Sequence, residues 1–317
     1  MRVLLLAGGY GGAKMAHGFA LLGERVELAI VGNTADDMEL HGLHISPDLD
    51  TVMYTLAGLA NNETGWGVRE ETWSAAAMLE LYGADTWFRL GDRDLATHIR
   101  RTNLLRAGLR LTEVTARLCA ALGMLARLLP MTDESVRTRV RTAAGWLDFQ
   151  DYFVRRRHED EVLELRFDGA SRARPTGEVL AAVEAAELIV LAPSNPFVSV
   201  GPVLALPGML DALLASAAPV VAISPIVAGA ALRGPAGAML GSLGYEVGAA
   251  GVAQLYAQRY PGLLDLLVID EADRGEAEKV EESGARAAVT RTVMASQEDR
   301  RRLAGAVLDL VHPATLD

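Results

Sequence analysis

Two pairs of aspartates near the N-terminus are the residues of this sequence whose types and spacing best suit chemistry. Asp36 and Asp37 end the segment VGNTADD, and Asp48 and Asp50 stand just after Pro47 in HGLHISPDLDTVMYTLAG. Carboxylates this close repel one another unless a cation or a polar substrate lies between them. Mg²⁺ suits such a group, because it takes one or two protein carboxylates and completes its shell with water and substrate phosphates.

A purely structural role is also open for these aspartates. Asp50 can cap a helix that begins at the apolar run after it, and acidic residues complement the free amides of a first helical turn. Asp36 and Asp37 can belong to a solvated acidic loop. Capping explains only one aspartate of the second pair, so the neighbouring segments decide between the two roles.

The segment AGGYGGAK, residues 7–14, has the position and composition of a phosphate-binding loop. Glycines let a backbone turn tightly and approach an anion, and the following helix presents free amides. The spacing matches neither the Walker A nor the dinucleotide pattern, so a tight strand–helix turn is the alternative. Lys14 can reach a phosphate or lie on the solvated surface. The glycines concerned are Gly8, Gly9, Gly11 and Gly12.

Three further loops follow predicted strands, at the edge where open α/β sheets bind ligands. VGNTADD contains Asn33, which can bond a ligand or close a turn. LAPSNPFVSVGP and ISPIVAG each place serine and proline just past a strand. Alone these motifs are turns, but together with the glycine loop they indicate a shared binding edge. The candidate residues of the last two loops are Ser194, Asn195, Pro196 and Ser224.

The segment WFRLGDRDLATH combines aromatic and charged residues. Trp87 and Arg89 can grip an aromatic, polar ligand by stacking and charge-assisted hydrogen bonds. An ion-paired helix start with Asp94 as its cap is the alternative.

Composition and charge limit the classes of function. Of the 317 residues, 50% are hydrophobic and 22% are charged, which is typical of a globular enzyme. The net charge of −11 without a basic block argues against nucleic-acid binding. The single cysteine, Cys119, excludes disulfides and multi-cysteine zinc sites. The chain start lacks secretory-signal features and Pro225 breaks the most apolar stretch, so we expect a cytoplasmic protein without a membrane span.

The elements that must position these residues alternate between strands and helices. RVLLLAGG, AKMAHGFALLG and RVELAIVGN predict a strand, a helix and a second strand, which is how a doubly wound α/β sheet begins. The alternation returns after residue 174, with helix caps predicted at Thr176 and Ser296 and a last helix that reaches His312. We therefore predict one α/β domain over residues 1–317, with a mostly parallel sheet. Residues 61–174 form its insertion, helical first and then made of short strands.

Six segments together resemble the phospholactate or phosphoenolpyruvate transferases of coenzyme F-420 biosynthesis. They are GGYGGAK, NTADDMELHGLHISPDLDTVMYTLAG, GWGVREETW, WFRLGDRDLATH, APSNPFVSVGP and SPIVAGAALRG. The similarity covers most of the chain in order and weakens from about Arg110 to Ala173 and after Asp270. PDLDTVMYTL and GDRDLATH are specific to this family, whereas the glycine loop is not.

The resemblance implies a Rossmann-like fold with a helical insertion, in a homodimer. It implies transfer of a lactyl-phosphate or enolpyruvyl-phosphate group from a guanosine diphosphate-linked donor to the ribityl hydroxyl of the deazaflavin precursor Fo. GMP leaves and Mg²⁺ is required. It also implies contact of Fo with Asp50 and Arg89. The donor would lie against the glycine loop with Lys14 and against the Ser194–Asn195–Pro196 loop.

The resulting hypothesis gives each candidate a role. Asp36 and Asp50 hold Mg²⁺ against the diphosphate of the donor, because phosphoryl-type transfer needs charge neutralisation and positioning. Asp48 or Asp50 accepts the proton of the attacking hydroxyl, or orients it. Arg89 and Trp87 hold the acceptor.

Two other functions are compatible with parts of the pattern. A nucleotide-sugar-binding regulator of the same superfamily would share the fold, but PDLDTVMYTL and GDRDLATH argue against it, and such a regulator should ignore Fo. A nicotinamide-dependent dehydrogenase would share the strand–glycine loop–helix opening, but the third glycine of its motif is absent here.

Overall fold

The computed structural model describes residues 1–61 and 63–311, and over these residues the chain forms fourteen strands and twelve α-helices. In chain order the strands are β1 (Arg2–Ala7), β2 (Glu27–Gly32), β3 (Met38–Leu40), β4 (Leu43–Ile45), β5 (Arg127–Pro130), β6 (Arg137–Thr142), β7 (Gly145–Asp148), β8 (Glu164–Asp168), β9 (Leu188–Leu191), β10 (Val220–Ile223), β11 (Ile226–Val227), β12 (Ala230–Ala231), β13 (Leu266–Ile269) and β14 (Arg286–Val289). The helices are α1 (Gly9–Ala20), α2 (Pro47–Leu56), α3 (Ser74–Leu81), α4 (Asp92–Arg106), α5 (Leu111–Ala121), α6 (Gly177–Ala185), α7 (Gly201–Leu204), α8 (Met209–Ala215), α9 (Ala236–Ser242), α10 (Ala249–Arg259), α11 (Ala277–Glu282) and α12 (Gln297–Val311).

A seven-stranded, all-parallel sheet lies at the centre of the described residues, in the order β14-β13-β10-β9-β1-β2-β5. Both of its faces are covered, as parallel sheets require. In β1, Leu4 and Leu6 point into one hydrophobic core, while Val3 and Leu5 point into the other. This double burial explains why the strands are continuous apolar runs, and it confirms the predicted doubly wound α/β fold.

The stretch predicted as an insertion, residues 61–174, is not uniform. Helices α3, α4 and α5 occupy its first part, and β6, β7 and β8 form an antiparallel sheet in its second part. Between them β5 leaves the stretch and pairs with β2 at the edge of the central sheet. Since Leu128 and Leu129 of β5 are buried in opposite cores, this strand continues the main fold.

The starts of three helices test the capping roles that the sequence suggests. Thr176 accepts a hydrogen bond from Val179 N at 3.1 Å, and Ser296 Oγ accepts one from Asp299 N at 3.1 Å, so both predicted caps are confirmed. His312, at the predicted end of the last helix, lies outside the described residues. The capping role considered for Asp50 is wrong, because α2 begins at Pro47 and its N-cap is the preceding serine.

None of the helices within the described ranges is both long and apolar enough to cross a membrane alone. Pro196–Leu204 and Met209–Ala215 meet that test of length and composition only when joined, and a bend of 84° separates them. Phe197, Val203 and Met209 of these segments are buried in the protein core.

Close contact between α1 and α12 predicts a specific sensitivity to substitution. A Cβ atom added at Gly18 would lie 2.3 Å from the backbone oxygen of Arg300. We therefore expect Gly18→Ala to lower the free energy of unfolding by about 2–3 kcal/mol, because α12 must move away. Urea unfolding followed by circular dichroism measures this change.

Gly305 of α12 provides the matched control. Apart from its chain neighbours and the backbone of its own helix, no atom of the described residues lies within 4 Å of a Cβ added there. Gly305→Ala should therefore be neutral or stabilising by up to about 1 kcal/mol, since alanine favours a helix interior. Equal effects of the two substitutions would contradict the packing of α1 on α12.

Candidate functional site

Polar loops follow four adjacent central strands at one edge of the sheet, which we call the carboxyl rim. The loops after β1, β2, β9 and β10 begin at residues 8, 33, 192 and 224. The first three are joined by hydrogen bonds: Asn33 N donates to Ala7 O at 3.1 Å, and Ser194 Oγ donates to Gly8 O at 2.7 Å. The rim is therefore the place where the predicted motifs of the two halves of the chain meet.

Asp48 joins three elements at the rim. Its Oδ1 accepts a hydrogen bond from the backbone amide of Gly9 at 2.8 Å, and its Oδ2 accepts one from Asn33 Nδ2 at 2.9 Å. The carboxylate of α2 thus satisfies the first free amide of α1, where a negative charge is favoured by the helix dipole. Asn33 in turn accepts from Ala35 N at 2.9 Å, which closes the turn after β2.

Burial dominates the electrostatics of Asp48, whose exposed fraction is 8%. Burial raises the pKa of its carboxyl to about 6, although the hydrogen bonds from Asn33 and Gly9 favour the ionised form and act against that rise. The charge of Asp37 raises the pKa further. Asp48 consequently changes charge close to neutral pH.

Asp36 and Asp37 lie buried beside Asp48 and are only partly satisfied. Asp37 Oδ2 accepts from Ser46 Oγ at 2.8 Å and lies 2.9 Å from His44 Nε2. In the part of the chain that the structure describes, Asp36 Oδ1 and Asp37 Oδ1 have no hydrogen-bond partner. Burial, and after it the charge of Asp48, raises the pKa of Asp36 well above its ordinary value. Such oxygens fit a hard cation such as Mg²⁺, which would compensate their charge.

The glycine loop is packed more tightly than a simple phosphate cradle. A Cβ at Gly11 would lie 2.2 Å from Pro193 O, and one at Gly8 would lie 2.8 Å from Asp48 Oδ2. Gly12 would meet Ser194 Oγ at 3.0 Å. Three of the four glycines therefore allow close approach between protein segments. Gly9, with φ of +61° and no described atom within 4 Å of an added Cβ, is the open position.

Lys14 points along α1 toward the loop before α12. Its Nζ donates to Met294 O at 2.9 Å and lies 4.5 Å from the centre of the Tyr10 ring. Burial and, after it, the charges of Arg300 and Arg233 lower the pKa of Lys14. Three cations therefore share this side of the glycine loop, and a role for Lys14 on a donor phosphate stays a prediction.

The two serine–proline loops at the rim have structural hydrogen bonds. Asn195 Oδ1 accepts from Phe197 N at 2.9 Å and so begins the short helical turn that starts at Pro196. Ser224 is buried, and its Oγ donates to Ile226 O at 3.0 Å, closing the turn after β10. Contact of these loops with a donor also stays a prediction.

Asp50 faces a different partner from the other rim aspartates. Both of its oxygens accept hydrogen bonds from the guanidinium of Arg101 on α4, with Arg101 Nη1 at 3.1 Å from Oδ2. Burial disfavours the charge of Arg101, but the Asp50 carboxylate outweighs it and raises the pKa of the guanidinium. This pair connects α2, which begins at the rim, to the helical insertion.

A group that could hold a metal ion also includes Asp50. Within residues 1–61 and 63–311, ligand atoms of Asp50, Asp94 and His98 all lie within 4.8 Å of one another, and all three side chains are buried. Asp36, the other predicted metal ligand, is not a member of this group. Arg101 already contacts Asp50 and lies 3.2 Å from His98 Nδ1, so a metal there would compete with a cation that is present.

Two carboxylates near the segment GDRD cap the helices α3 and α4. Asp92 accepts from Thr72 Oγ1 at 2.6 Å and from Ala75 N at 2.9 Å, so it caps α3. Glu71 accepts from the amides of Arg93 and Asp94 at 2.7 and 3.1 Å, so it caps α4. Asp94 is therefore not the cap of its own helix. Instead its Oδ1 accepts from the hydroxyl of Tyr54 at 2.7 Å.

The aromatic residues divide into two groups. The guanidinium of Arg89 stacks on Trp73 at 4.5 Å, and the ring of Trp73 meets that of Trp66 edge-on at 6.3 Å. Trp66 and Trp73 line a pocket that reaches Asp94. Trp87 contacts Phe88, at 5.7 Å between ring centres. The structure thus places Trp73 against Arg89, and the role of Trp87 in holding an acceptor stays a prediction.

Several residues of the site have no assigned role in the sequence patterns. Their sequence signal is spacing: Tyr54 follows Asp50 by one helical turn, and His98 and Arg101 follow Asp94 at intervals that keep one helix face. The aromatic pair is spaced by seven residues in GWGVREETW, outside any helix. The residues are Tyr54, Trp66, Glu71, Trp73, His98 and Arg101.

Comparisons with known proteins agree on one family. Residues 3–307 match the family described as 2-phospho-L-lactate transferase CofD. A phosphoenolpyruvate transferase from Streptomyces griseus is 42% identical over 315 residues, covering 98% of each chain. A 2-phospho-L-lactate transferase from Methanosarcina acetivorans is 39% identical over 308 residues, covering 97% of this chain and 98% of its own.

A solved structure supports the fold independently. The crystal structure of a UPF0052-family protein from Bacillus halodurans superposes with a TM-score of 0.67 at 15% identity. The match covers 97% of this chain and 98% of that chain. At this identity the likeness extends to the fold alone.

Titration of Asp48 tests the electrostatics of the rim. We expect its carboxyl to titrate near pH 6 in the ligand-free protein. The unfolded chain releases this proton near pH 3.9, so the stabilising contribution of Asp48 is fully present below about pH 4 and is lost as the pH rises through about 6. ¹³C NMR of the carboxyl carbons measures the pKa directly.

Asn33→Ala should raise the pKa of Asp48 further, because it removes a donor to the ionised carboxylate. Asn103→Ala, on the exposed side of α4, should leave that pKa unchanged. Titration near pH 4, or an equal response to both substitutions, would show that burial and the Asn33 bond do not control this group.

Proposed function

The chain belongs to the 2-phospho-L-lactate transferase CofD family, and on that basis we propose that it moves a phospholactyl or enolpyruvyl-phosphate group from a guanosine diphosphate-linked donor to the deazaflavin precursor Fo. The ribityl hydroxyl of Fo is the acceptor and GMP the leaving group, in a step of coenzyme F-420 biosynthesis. The two kinds of relative match the chain at 42% and 39% identity, so both donors are compatible with it.

The observation that carries this proposal is the set of buried carboxylates at the rim, next to the open position at Gly9. Asp36, Asp48 and Asp50 are 5%, 8% and 5% exposed. Burying a carboxylate costs folding free energy unless a partner compensates its charge, so a function is the expected reason for keeping three of them here. Gathered beside a helix N-terminus, they suit a reaction that brings a diphosphate and a cation together.

We propose Asp36 and Asp50 as the ligands of Mg²⁺. Asp36 has the stronger support, because its buried Oδ1 is unpartnered among the described residues. Asp50 would use lone pairs that Arg101 leaves free. Mg²⁺ would neutralise charge on the diphosphate and on the departing GMP. The protein's own part is to hold these oxygens in place before the substrates arrive.

The acceptor would lie over the pocket lined by Trp66 and Trp73. Flat aromatic walls suit a tricyclic deazaflavin, and the guanidinium of Arg89 lies against the same ring system. Asp94, a buried residue that lines this pocket, belongs to the group that contains Asp50. The ribityl chain would therefore run inward, toward Asp50 and the rim.

Asp48 and Asp50 divide the handling of the hydroxyl proton. Asp50, beside the acceptor pocket, would accept a hydrogen bond from the attacking hydroxyl and orient it. Asp48, with a pKa of about 6, is ionised at neutral pH and suited to take up a proton as the bond forms. We also propose a homodimer, as the resemblance implies, and a cytoplasmic location.

Product analysis tests the proposed function. We incubate the protein with Mg²⁺, Fo and either the lactyl or the enolpyruvyl guanosine diphosphate donor. We expect two products, identified by mass spectrometry: GMP, and Fo joined through a phosphodiester to the lactyl or enolpyruvyl group. Asp50→Asn should lower turnover at least about 100-fold without unfolding the protein. Asp211→Asn, an exposed change on α8, should leave turnover intact. Fo binding without any product from either donor would point to a binding protein and refute the transferase.

The metal assignment makes a separate prediction. Asp36→Asn should raise the Mg²⁺ concentration needed for half-maximal turnover by about 10–100-fold, because it removes a charged ligand. Turnover measured across a Mg²⁺ series gives this value, with Asp211→Asn again as control. An unchanged Mg²⁺ requirement would remove Asp36 from the metal site.

A further inference from the structure

Five buried side chains connect α2 with α4, and we call them the α2–α4 clamp. Asp50 and Tyr54 lie one turn apart on α2, and Asp94, His98 and Arg101 follow one face of α4. All five are buried, and Arg101 is only 1% exposed. The catalytic hypothesis uses Asp50 alone, so the other four need an explanation.

Arg101 is the centre of the clamp. Its two terminal nitrogens donate to the two oxygens of Asp50, and Nη1 also lies 3.2 Å from His98 Nδ1. A forked guanidinium bonded to both oxygens fixes the plane of a carboxylate as well as its position. A lysine ammonium could supply the charge but not the fork.

Both ring nitrogens of His98 lie close to members of the clamp. Because Arg101 is always a donor, His98 Nδ1 must accept, which leaves the ring proton on Nε2. Nε2 lies 3.2 Å from Asp94 Oδ1, and the hydroxyl of Tyr54 donates to that same oxygen at 2.7 Å. The contacts therefore run from Tyr54 through Asp94 and His98 to Arg101, and return to α2 at Asp50.

We propose that Arg101 is a positioning residue for the transfer reaction: it holds the Asp50 carboxylate in the orientation that receives the acceptor hydroxyl, with His98, Asp94 and Tyr54 fixing its own position. The role rests on the proposed function of Asp50. It follows that the insertion helix α4 sets the geometry of the rim without contributing the reacting groups.

Chemical rescue tests this role. We expect Arg101→Ala to lower turnover at least about 100-fold, because a displaced carboxylate loses its alignment with the hydroxyl. The KM for the guanosine-linked donor should stay within about threefold, because the proposed donor site, at the glycine loop and Asp36, does not include Arg101. Guanidinium chloride at millimolar concentration should restore turnover of Arg101→Ala about tenfold, since it can occupy the vacated fork. Arg100→Ala, on the exposed side of α4, should behave as wild type.

Two further variants separate positioning from folding. Arg101→Lys keeps the buried charge, so this variant provides the test if Arg101→Ala unfolds. We expect Arg101→Lys to have low turnover that guanidinium does not restore. Adding Arg101→Ala to Asp50→Asn should lower turnover little beyond the single Asp50 change, because both act through one carboxylate. The melting temperature of each variant is measured alongside.

The outcomes distinguish this inference from the proposed function. A wild-type protein that makes no product from Fo overturns the proposed function and the inference with it. An active wild type with full turnover in Arg101→Lys, or in folded Arg101→Ala, overturns only the role of Arg101. The role of Arg101 would also be overturned if guanidinium failed to restore the turnover of Arg101→Ala and the losses of turnover from the two single changes were fully additive in the double variant.

Discussion

The burial of four carboxylates at one edge of a parallel sheet is the constraint on which the rest of this structure depends. Each buried charge must be compensated, because removing it from water is costly. Asp48 is compensated by a helix amide and Asn33, Asp37 by Ser46 and His44, and Asp50 by Arg101. Asp36 keeps an oxygen without a partner in the described chain. The local folds of the rim follow from these bonds, and the unpartnered oxygens of Asp36 and Asp37 are the basis of the cation site that we propose.

The same constraint explains why the helical insertion is part of the site. A carboxylate on α2 needs a partner that the sheet does not provide, and α4 supplies it as Arg101. Asp92 of α4 caps α3, and Glu71, in the segment before α3, caps α4. The stretch predicted as an insertion therefore contributes both the pocket lined by Trp66 and Trp73 and the cation that holds Asp50. In the function that we propose, a flat acceptor and a diphosphate donor meet at Asp50.

The sequence predicts the sheet well, because strands buried on both faces are continuous apolar runs and their ends carry polar loops. Caps at Thr176 and Ser296 were also predictable, since capping is local. The sequence leaves a capping role open for Asp50, and the structure excludes it because Pro47 starts the helix earlier. The bond between Asp50 and Arg101 spans 51 residues, and no local pattern encodes it. The glycines show a different limit: close packing and ligand approach require the same residue type.

Locating a bound Mn²⁺ ion by anomalous diffraction, in crystals grown with guanosine diphosphate and Fo, tests the central claim most directly. We expect the ion within about 2.1 Å of an Asp36 carboxylate oxygen at the carboxyl rim, with Arg101 still bonded to Asp50. An ion held instead by Asp94 and His98, with Asp36 turned away and Arg101 displaced, would contradict it.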